Sequence, residues 1–158
     1  MAAVHPVFFG EFANFYRELD AAFRDAGYRI RPANKTMAEY LKHSDAGDVD
    51  IDVGRWTADY PDSDTFLHGA LHSSSGAFRK LLGNDDIDRL AEQARIETDP
   101  RVRHTLYRQA EEFIAREALM IPLFHDQVYC FARPEVQGLT VIGQSNAPVP
   151  YEDLWIRR

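Results

Sequence analysis

The chain has 158 residues, the length of one ordinary domain, and its 45% hydrophobic content is enough to form a buried core. Its 25 acidic residues outnumber the 18 basic ones, which gives a net charge of -7. An acidic chain without a lysine and arginine stripe repels phosphate backbones, so the composition disfavours nucleic-acid binding. The apolar runs fall short of the ~20 residues that a membrane-spanning helix needs. The first residues also lack the pattern of a secretion signal, which in an exported protein would belong to sequence upstream of residue 1.

The first third of the chain predicts a β-α-β unit. A short buried strand is expected at residues 4–9, and the apolar spacing after it predicts a helix that stops at Gly27. The alternating stretch at residues 28–32 is predicted to be the second strand, because a helix of this length fits the crossover between parallel strands. A shorter amphipathic helix follows, and Thr36 is its predicted N-cap.

The segment "DVDIDV", residues 48–53, alternates strictly between acidic and apolar residues. The alternation predicts a strand that turns Val49, Ile51 and Val53 to one side and the aspartates to the other. Three carboxylates on one face are compatible with a cation site, but the turn glycine and distal glutamate of a calcium loop are missing. We therefore predict a solvated acidic face, formed by Asp48, Asp50 and Asp52.

The second half of the chain predicts two consecutive helices. The first is capped by Asn84 or Asp85 and buries an aliphatic stripe, consisting of Ile87, Leu90, Ala91 and Ala94. The second has a clear start, because Pro100 takes the first helical position after a cap at Thr98 or Asp99, and it is expected to run to about residue 118. One face of this helix, apolar until its last member, is traced by Val102, Leu106, Ala110, Phe113, Ile114 and Glu117.

Strands are predicted after these helices. Residues 121–132 are expected to give one or two strands, and residues 138–143 another. Cys130 lies in the apolar run "VYCFA" and is predicted to be a small buried hydrophobe rather than a nucleophile. The proline-rich tail should pack against a large partner through Tyr151, Leu154 and Trp155.

Catalytic motifs are not evident in the sequence. Neither a glycine-rich phosphate loop nor a GxSxG element occurs. His68 and His72 have helical spacing, but the HExxH pattern is absent, so we predict histidines at the surface or at the rim of a cleft rather than metal ligands. The serines at residues 73–75 are predicted to form a loop or a helix cap rather than to supply a nucleophile. The chain is therefore predicted not to be an enzyme.

The stretch "GRWTADYPDSDTFLHGALHSSSG" is the most informative part of the sequence. It places Trp56, Asp59 and Tyr60 just past a predicted strand. A carboxylate between aromatic rings can bind a cationic group, through a charge-assisted hydrogen bond and some cation–π attraction. The same residues allow a structural interpretation, in which Asp59 caps a helix that begins near Pro61 and Trp56 belongs to the core. The residues alone leave both interpretations open.

This stretch strongly resembles the family 5 extracellular solute-binding proteins of ABC importers, the dipeptide-, oligopeptide- and nickel-binding group. In that family a strand leads into W-x-A-D-Y-P-D-x-x-x-F, and a serine-rich segment follows. The matching residues here are Trp56, Ala58, Asp59, Tyr60, Pro61, Asp62 and Phe66, and then Ser73, Ser74 and Ser75. Residues 87–139, with a D-P-capped helix, an Ile-Pro-Leu strand and V-x-G-L, and residues 15–32 also look like family segments. The resemblance therefore covers nearly the whole chain.

The resemblance implies an α/β fold, a type II periplasmic-binding-protein lobe with a mixed sheet flanked by helices. Residues 1–142 would be the C-terminal lobe, and residues 143–158 a tail that crosses toward a first lobe that this chain lacks. In peptide-binding relatives the aspartate of A-D-Y binds the peptide's α-ammonium group. That role would fall on Asp59, with Trp56 lining the pocket and Tyr60 beside it. No cofactor or metal is implied.

Two biological settings remain open. The first is a non-catalytic lobe that binds a peptide or another small solute for an ABC permease, outside the cell or in the periplasm, with the full-length protein tethered to the membrane. The second is the ligand-sensing domain of a cytoplasmic transcriptional regulator, since some regulators resemble this family in their C-terminal part. In both settings an exposed cleft face predicts a homo-oligomer through that face, or a tail folded back over its own lobe.

Overall fold

The computed structural model describes residues 1–127, 129–141 and 149–157. The described helices are α1 (Ala13–Asp25), α2 (Met37–Ala46), α3 (Asp64–Phe66), α4 (Arg79–Leu82), α5 (Asp85–Ile96) and α6 (Pro100–Arg116). The strands are β1 (Ala2–Val4), β2 (Ile51–Val53), β3 (Val136–Gln137) and β4 (Trp155–Ile156). Pro6–Phe9 and Tyr151–Asp153 form 3-10 turns, and Leu67–Leu71 continues α3 as a π-helical turn. The α/β class is therefore confirmed. In the described ranges, none of the helices combines the length and apolar character needed to cross a membrane.

β1 pairs in parallel with β2, so that Val4 lies opposite Val53. On its other edge, β1 meets the predicted second strand through a single bridge, between Ala2 and Pro32. The strand predicted at residues 28–32 does not form, because its pairing with β1 is limited to the two hydrogen bonds that flank Pro32, from Ala2 N–H to the carbonyl of Arg31 at 3.0 Å and from Ala33 N–H to the carbonyl of Ala2 at 2.8 Å. The strand predicted at residues 4–9 is displaced toward the N-terminus, since Pro6 begins the 3-10 turn.

β3 and β4 form a separate antiparallel pair. The described strands therefore do not join into one mixed sheet, and the expected lobe topology stays a prediction. In the described part of the tail, β4 pairs with β3 of the same chain. Tyr151 and Trp155 are 72% and 57% exposed and Leu154 is half-buried, and the packing of these anchors on a large partner stays a prediction. Strand pairing, rather than burial of these rings, holds this part of the tail.

The predicted helix ends agree closely with the structure. α1 ends before Gly27, whose φ of 88° is easily adopted only by glycine. Thr36 and Glu39 form a reciprocal capping box at the start of α2. Asn84 caps α5, and Asp99 caps α6 with its carboxylate on the N–H of Arg101 at 2.8 Å. These boundaries were predictable because capping signals are local in sequence.

The larger core cluster joins α5, α6 and the π-helical turn. Its buried members are Leu67, Ala70, Leu71, Ile87, Leu90, Ala91, Ala110 and Ile114. The stripe predicted for α5 is confirmed in full. The apolar face predicted for α6 is buried at Ala110 and Ile114, but Val102 at its start is 46% exposed. A second cluster packs the aromatic side of α1 against β1 and β2.

The prediction of a solvated acidic face is wrong at Asp52. The helix α2 brings Tyr40 and Ser44 over this face, and their hydroxyls donate to the Asp52 carboxylate at 3.0 Å and 2.8 Å. Burial raises the pKa of Asp52, and burial together with this carboxylate raises the pKa of Tyr40. Asp48 and Asp50 are exposed, as predicted.

Residues 121–132 are not a strand in their described part, which leaves out residue 128. Phe124 packs edge-on against Phe15, with ring centroids 4.8 Å apart, and Asp126 accepts a hydrogen bond from Arg55 at 2.8 Å. Cys130 is half-buried rather than buried, and Phe131 is 94% exposed. Alternating side chains favour extended backbone, but a strand also requires a neighbouring backbone that pairs with it.

The strand predicted at residues 138–143 is also displaced. The pairing with β4 falls on Val136–Gln137, and residues 138–141 are irregular. Residues 142 and 143 lie outside the described residues. The apolar residues of "GLTVIG" therefore predicted a strand in this region but not its position, because the pairing partner determines which residues form the strand.

Candidate functional site

The predicted site residues lie on the loop between β2 and α3. Trp56 is half-buried, and its ring packs against the larger core cluster and meets Phe78 edge-on at 6.1 Å between centroids. The indole Nε1 donates to the carbonyl of Thr65 at 2.8 Å. Much of this ring therefore serves the core, which was one of the two interpretations left open by the sequence.

Asp59 is exposed at the turn of the loop. Its backbone N–H points to the hydroxyl of Thr65 at 3.4 Å, and Thr65 is only 2% exposed. The same buried threonine thus holds both Trp56 and the backbone of Asp59. The following helix begins at Asp64 after Ser63, so Asp59 is not its N-cap residue. The loop presents the carboxylate-bearing residue at the surface while its backbone is tied to a buried neighbour.

Tyr60 is 45% exposed, but its hydroxyl is engaged. It donates to Asp64 Oδ2 at 2.6 Å, and this hydrogen bond raises the pKa of Tyr60 to about 12. The Asp64 carboxylate is largely buried. Arg95 Nε lies 3.3 Å from Asp64 Oδ1, which makes an ion pair without the alignment of a hydrogen bond. The exposed part of Tyr60 is therefore mainly its ring, because its hydroxyl is hydrogen-bonded to Asp64.

Asp62 and Arg103 form a bidentate pair that sequence reasoning did not single out. The two guanidinium nitrogens lie 2.8 Å and 2.7 Å from the carboxylate oxygens. The hydrogen bonds from Arg103 hold the pKa of Asp62 below its usual range. Asp62 also accepts the N–H of Asp64 at 2.8 Å. Asp62 belongs to the matched motif, but Arg103 lies 41 residues away on α6. The residues next to Arg103 in sequence do not predict this contact.

The histidine and serine segment is built into the fold. His72 is 6% exposed, and its Nδ1 accepts from the backbone and hydroxyl of Ser74 at 3.2 Å and 3.0 Å. Its Nε2 lies 3.4 Å from a Glu92 oxygen. His68 stacks on His72, and burial together with Arg95 lowers the pKa of His68. His72 is therefore buried rather than at a surface or a rim. In the described ranges no group of three His, Cys, Asp or Glu residues is arranged to hold a metal ion.

Two shallow surface depressions border the helical pair. One, of about 500 Å³, lies between Ser63, Arg103, His104 and Tyr107, and the other, of about 800 Å³, runs along α5. Trp56, Asp59 and Tyr60 line neither of them. The predicted site residues thus share one loop, and they lie outside both of these depressions.

Comparison with known proteins gives consistent relatives. Di/tripeptide-binding protein 4 of Pseudomonas aeruginosa (strain UCBPP-PA14) is 31% identical over 131 residues, which cover 81% of this chain and 25% of the relative. Dipeptide-binding protein DppE of Bacillus subtilis (strain 168) is 30% identical, over 81% of this chain and 22% of the relative. The Probable deoxycholate-binding periplasmic protein YgiS of Escherichia coli (strain K12) is 34% identical, over 86% of this chain and 27% of the relative.

No family model matches the chain. The chain spans about a quarter of the length of the relatives that it matches. The relatives nevertheless align with most of its residues. On these grounds the chain belongs to the family 5 solute-binding proteins.

Proposed function

We propose that this chain is one lobe of a non-catalytic solute-binding protein that delivers peptides to an ABC permease. Residues 1–142 would form the C-terminal lobe, and residues 143–158 the tail that crosses toward the other lobe. Two of the relatives are named for binding dipeptides or tripeptides, and one for binding deoxycholate. The names of these relatives therefore favour a peptide as the solute. The periplasmic name of one relative supports a location outside the cytoplasm, and membrane tethering of the full-length protein is part of the proposal.

The proposal places the peptide's α-ammonium group on Asp59. The supporting observation is the exposure of this residue at the turn of a loop whose backbone is held by buried Thr65. A carboxylate binds an ammonium group through short charge-assisted hydrogen bonds. Tyr60 would add its exposed ring beside the ligand, and Trp56 the edge of its half-buried ring.

A second lobe would strengthen this contact. Asp59 lies on an open surface here, and an exposed pair of charges contributes little to affinity because water screens it. Closure of two lobes around the ligand removes that water and raises the effective strength of the charge pair. The chain alone is therefore expected to bind free-amine peptides weakly, and the full-length protein to bind them tightly.

Calorimetry on the full-length protein that carries this chain tests the proposal. Asp59→Ala should weaken the binding of a free-amine tripeptide by about 2–5 kcal/mol, because it removes one partner of a buried charge pair. The matched control is Asp48→Ala, which removes an exposed carboxylate outside the site and should leave affinity unchanged. Equal affinities of the wild type and Asp59→Ala would refute the proposed role.

A further inference from the structure

The side chain of Arg103 connects three elements of the fold. Its guanidinium holds Asp62 of the β2–α3 loop with two parallel hydrogen bonds at 2.8 Å and 2.7 Å. Its Nε donates to the carbonyl of Ala94, in the last turn of α5, at 2.9 Å. Its Nη2 also donates to the hydroxyl of Tyr107, on its own helix, at 2.7 Å. The planar fork of arginine matches this set of acceptors, which a lysine ammonium cannot reproduce.

The pair differs from an ordinary surface ion pair. The side chains of Arg103 and Asp62 are 27% and 35% exposed, whereas those of Arg108 and Glu112 on the same helix are 64% and 65% exposed. Arg108 and Glu112 also make a single contact within one helix. Exposed pairs of that kind contribute little, so the Arg103 pair, unlike the Arg108 pair, can hold a loop against the helices.

Asp62 is in turn connected to the backbone around it. Its N–H donates to the carbonyl of Tyr60 at 2.8 Å, and its carbonyl accepts from the N–H of Thr65 at 3.3 Å. Its carboxylate accepts the N–H of Asp64 at 2.8 Å. With the contact of Thr65 to the backbone of Asp59, these bonds make residues 59–65 one small closed unit. Arg103 connects this unit to α5 and α6 through Asp62.

We propose that Arg103 is a positioning residue for the ligand site, which acts through Asp62 to fix the direction in which Asp59 meets a ligand ammonium group. The inference rests on the proposed function of Asp59. Arg103 need not touch the ligand, since a binding group that is held in place before binding avoids the cost of ordering it afterwards. A role limited to joining α5 and α6 would change stability and leave the recognition of the ammonium group intact.

Two measurements test this role, with Arg103→Lys as the variant and Arg108→Lys as its matched control. The first is hydrogen exchange of the backbone N–H groups of residues 59, 60 and 62–65, since Pro61 has none. Arg103→Lys should speed this exchange about tenfold or more, since local opening becomes easier, and Arg108→Lys should not change it. Unchanged exchange in Arg103→Lys would overturn the proposal.

The second measurement compares the affinity of the full-length protein for trialanine and for N-acetyl-trialanine. Arg103→Lys should reduce the preference for the free amine by about tenfold, through lost pre-organisation. It should have no further effect on this preference in the Asp59→Ala background. A folded Arg103→Lys protein with the wild-type preference would overturn the proposal. If Arg103→Lys does not fold, Asp62→Asn takes its place, because it removes the charge of the loop partner and keeps the shape of the side chain.

The same data separate this inference from the proposed function. If Asp59→Ala removes the preference for the free amine and Arg103→Lys does not, the positioning role fails and the binding role of Asp59 stands. If Asp59→Ala leaves the preference unchanged, both fail. Far-UV circular dichroism of each variant shows that it has folded before its affinity is interpreted.

Discussion

The packing of α5 against α6 gives a prediction whose size follows from the structure. Ile87 is 0% exposed and belongs to the larger core cluster. Ile87→Ala removes three side-chain carbons, which at ~0.8 kcal/mol each amounts to about 2.4 kcal/mol of lost transfer free energy. The cavity that remains adds to this, so the free energy of unfolding should fall by about 3–4 kcal/mol. The change is large beside the ~5–15 kcal/mol that a domain usually has.

The control for this prediction lies on the same helix. Ile96 is 81% exposed, so Ile96→Ala should change the free energy of unfolding by less than ~0.5 kcal/mol. Urea unfolding of the chain, followed by far-UV circular dichroism, gives the free energy of unfolding of both variants. An unchanged slope of this free energy against urea concentration would show that the unfolded state is the same. A loss below about 1 kcal/mol for Ile87→Ala, or equal losses at the two sites, would refute the packing described for α5.

Two further predictions concern the remaining features of the fold. Burial raises the pKa of Asp52, so its contribution to stability is present below the unfolded pKa of ~3.9 and is lost as the pH rises through the folded pKa. In urea unfolding, the free energy of unfolding of the wild type should therefore fall relative to that of Asp52→Asn as the pH rises above about 4. A difference between the two proteins that does not change with pH would contradict this. Gly76→Ala should lower the free energy of unfolding by ~1–3 kcal/mol, because its Cβ would lie 2.7 Å from the carbonyl of Ala70 and from the backbone of His72. Gly69→Ala, whose Cβ would meet its neighbours at ordinary distances, is the control, and equal thermal shifts for the two variants would refute the steric argument.

The helices were predictable from the sequence because their signals are local. Thr36, Asn84 and Asp99 each stand within three residues of the N–H groups that they cap. The buried stripe of α5 follows from spacing alone. The strands were less predictable, because a strand depends on a partner that is distant in sequence. Residues 28–32 have the composition of a strand but make a single bridge, and residues 121–132 have that composition but are not a strand in their described part.

The site was predictable in part for the same reason. The motif from Trp56 onward placed the candidate residues on one loop, directly after β2. The structure adds that Trp56 is partly a core residue and that the hydroxyl of Tyr60 is engaged by Asp64. The contact between Asp62 and Arg103 joins residues 41 positions apart. A contact of that range depends on how α6 packs, which neither spacing nor composition encodes.

Because the indole of Trp56 is hydrogen-bonded to Thr65, tryptophan fluorescence can report on this loop. The ring rests on the core and is tied to the residue that holds Asp59, so its fluorescence reports the surroundings of this loop. Trp155 is more exposed, and a water-soluble quencher should therefore suppress its emission first. The remaining emission of Trp56 would then serve as a label-free signal from the loop.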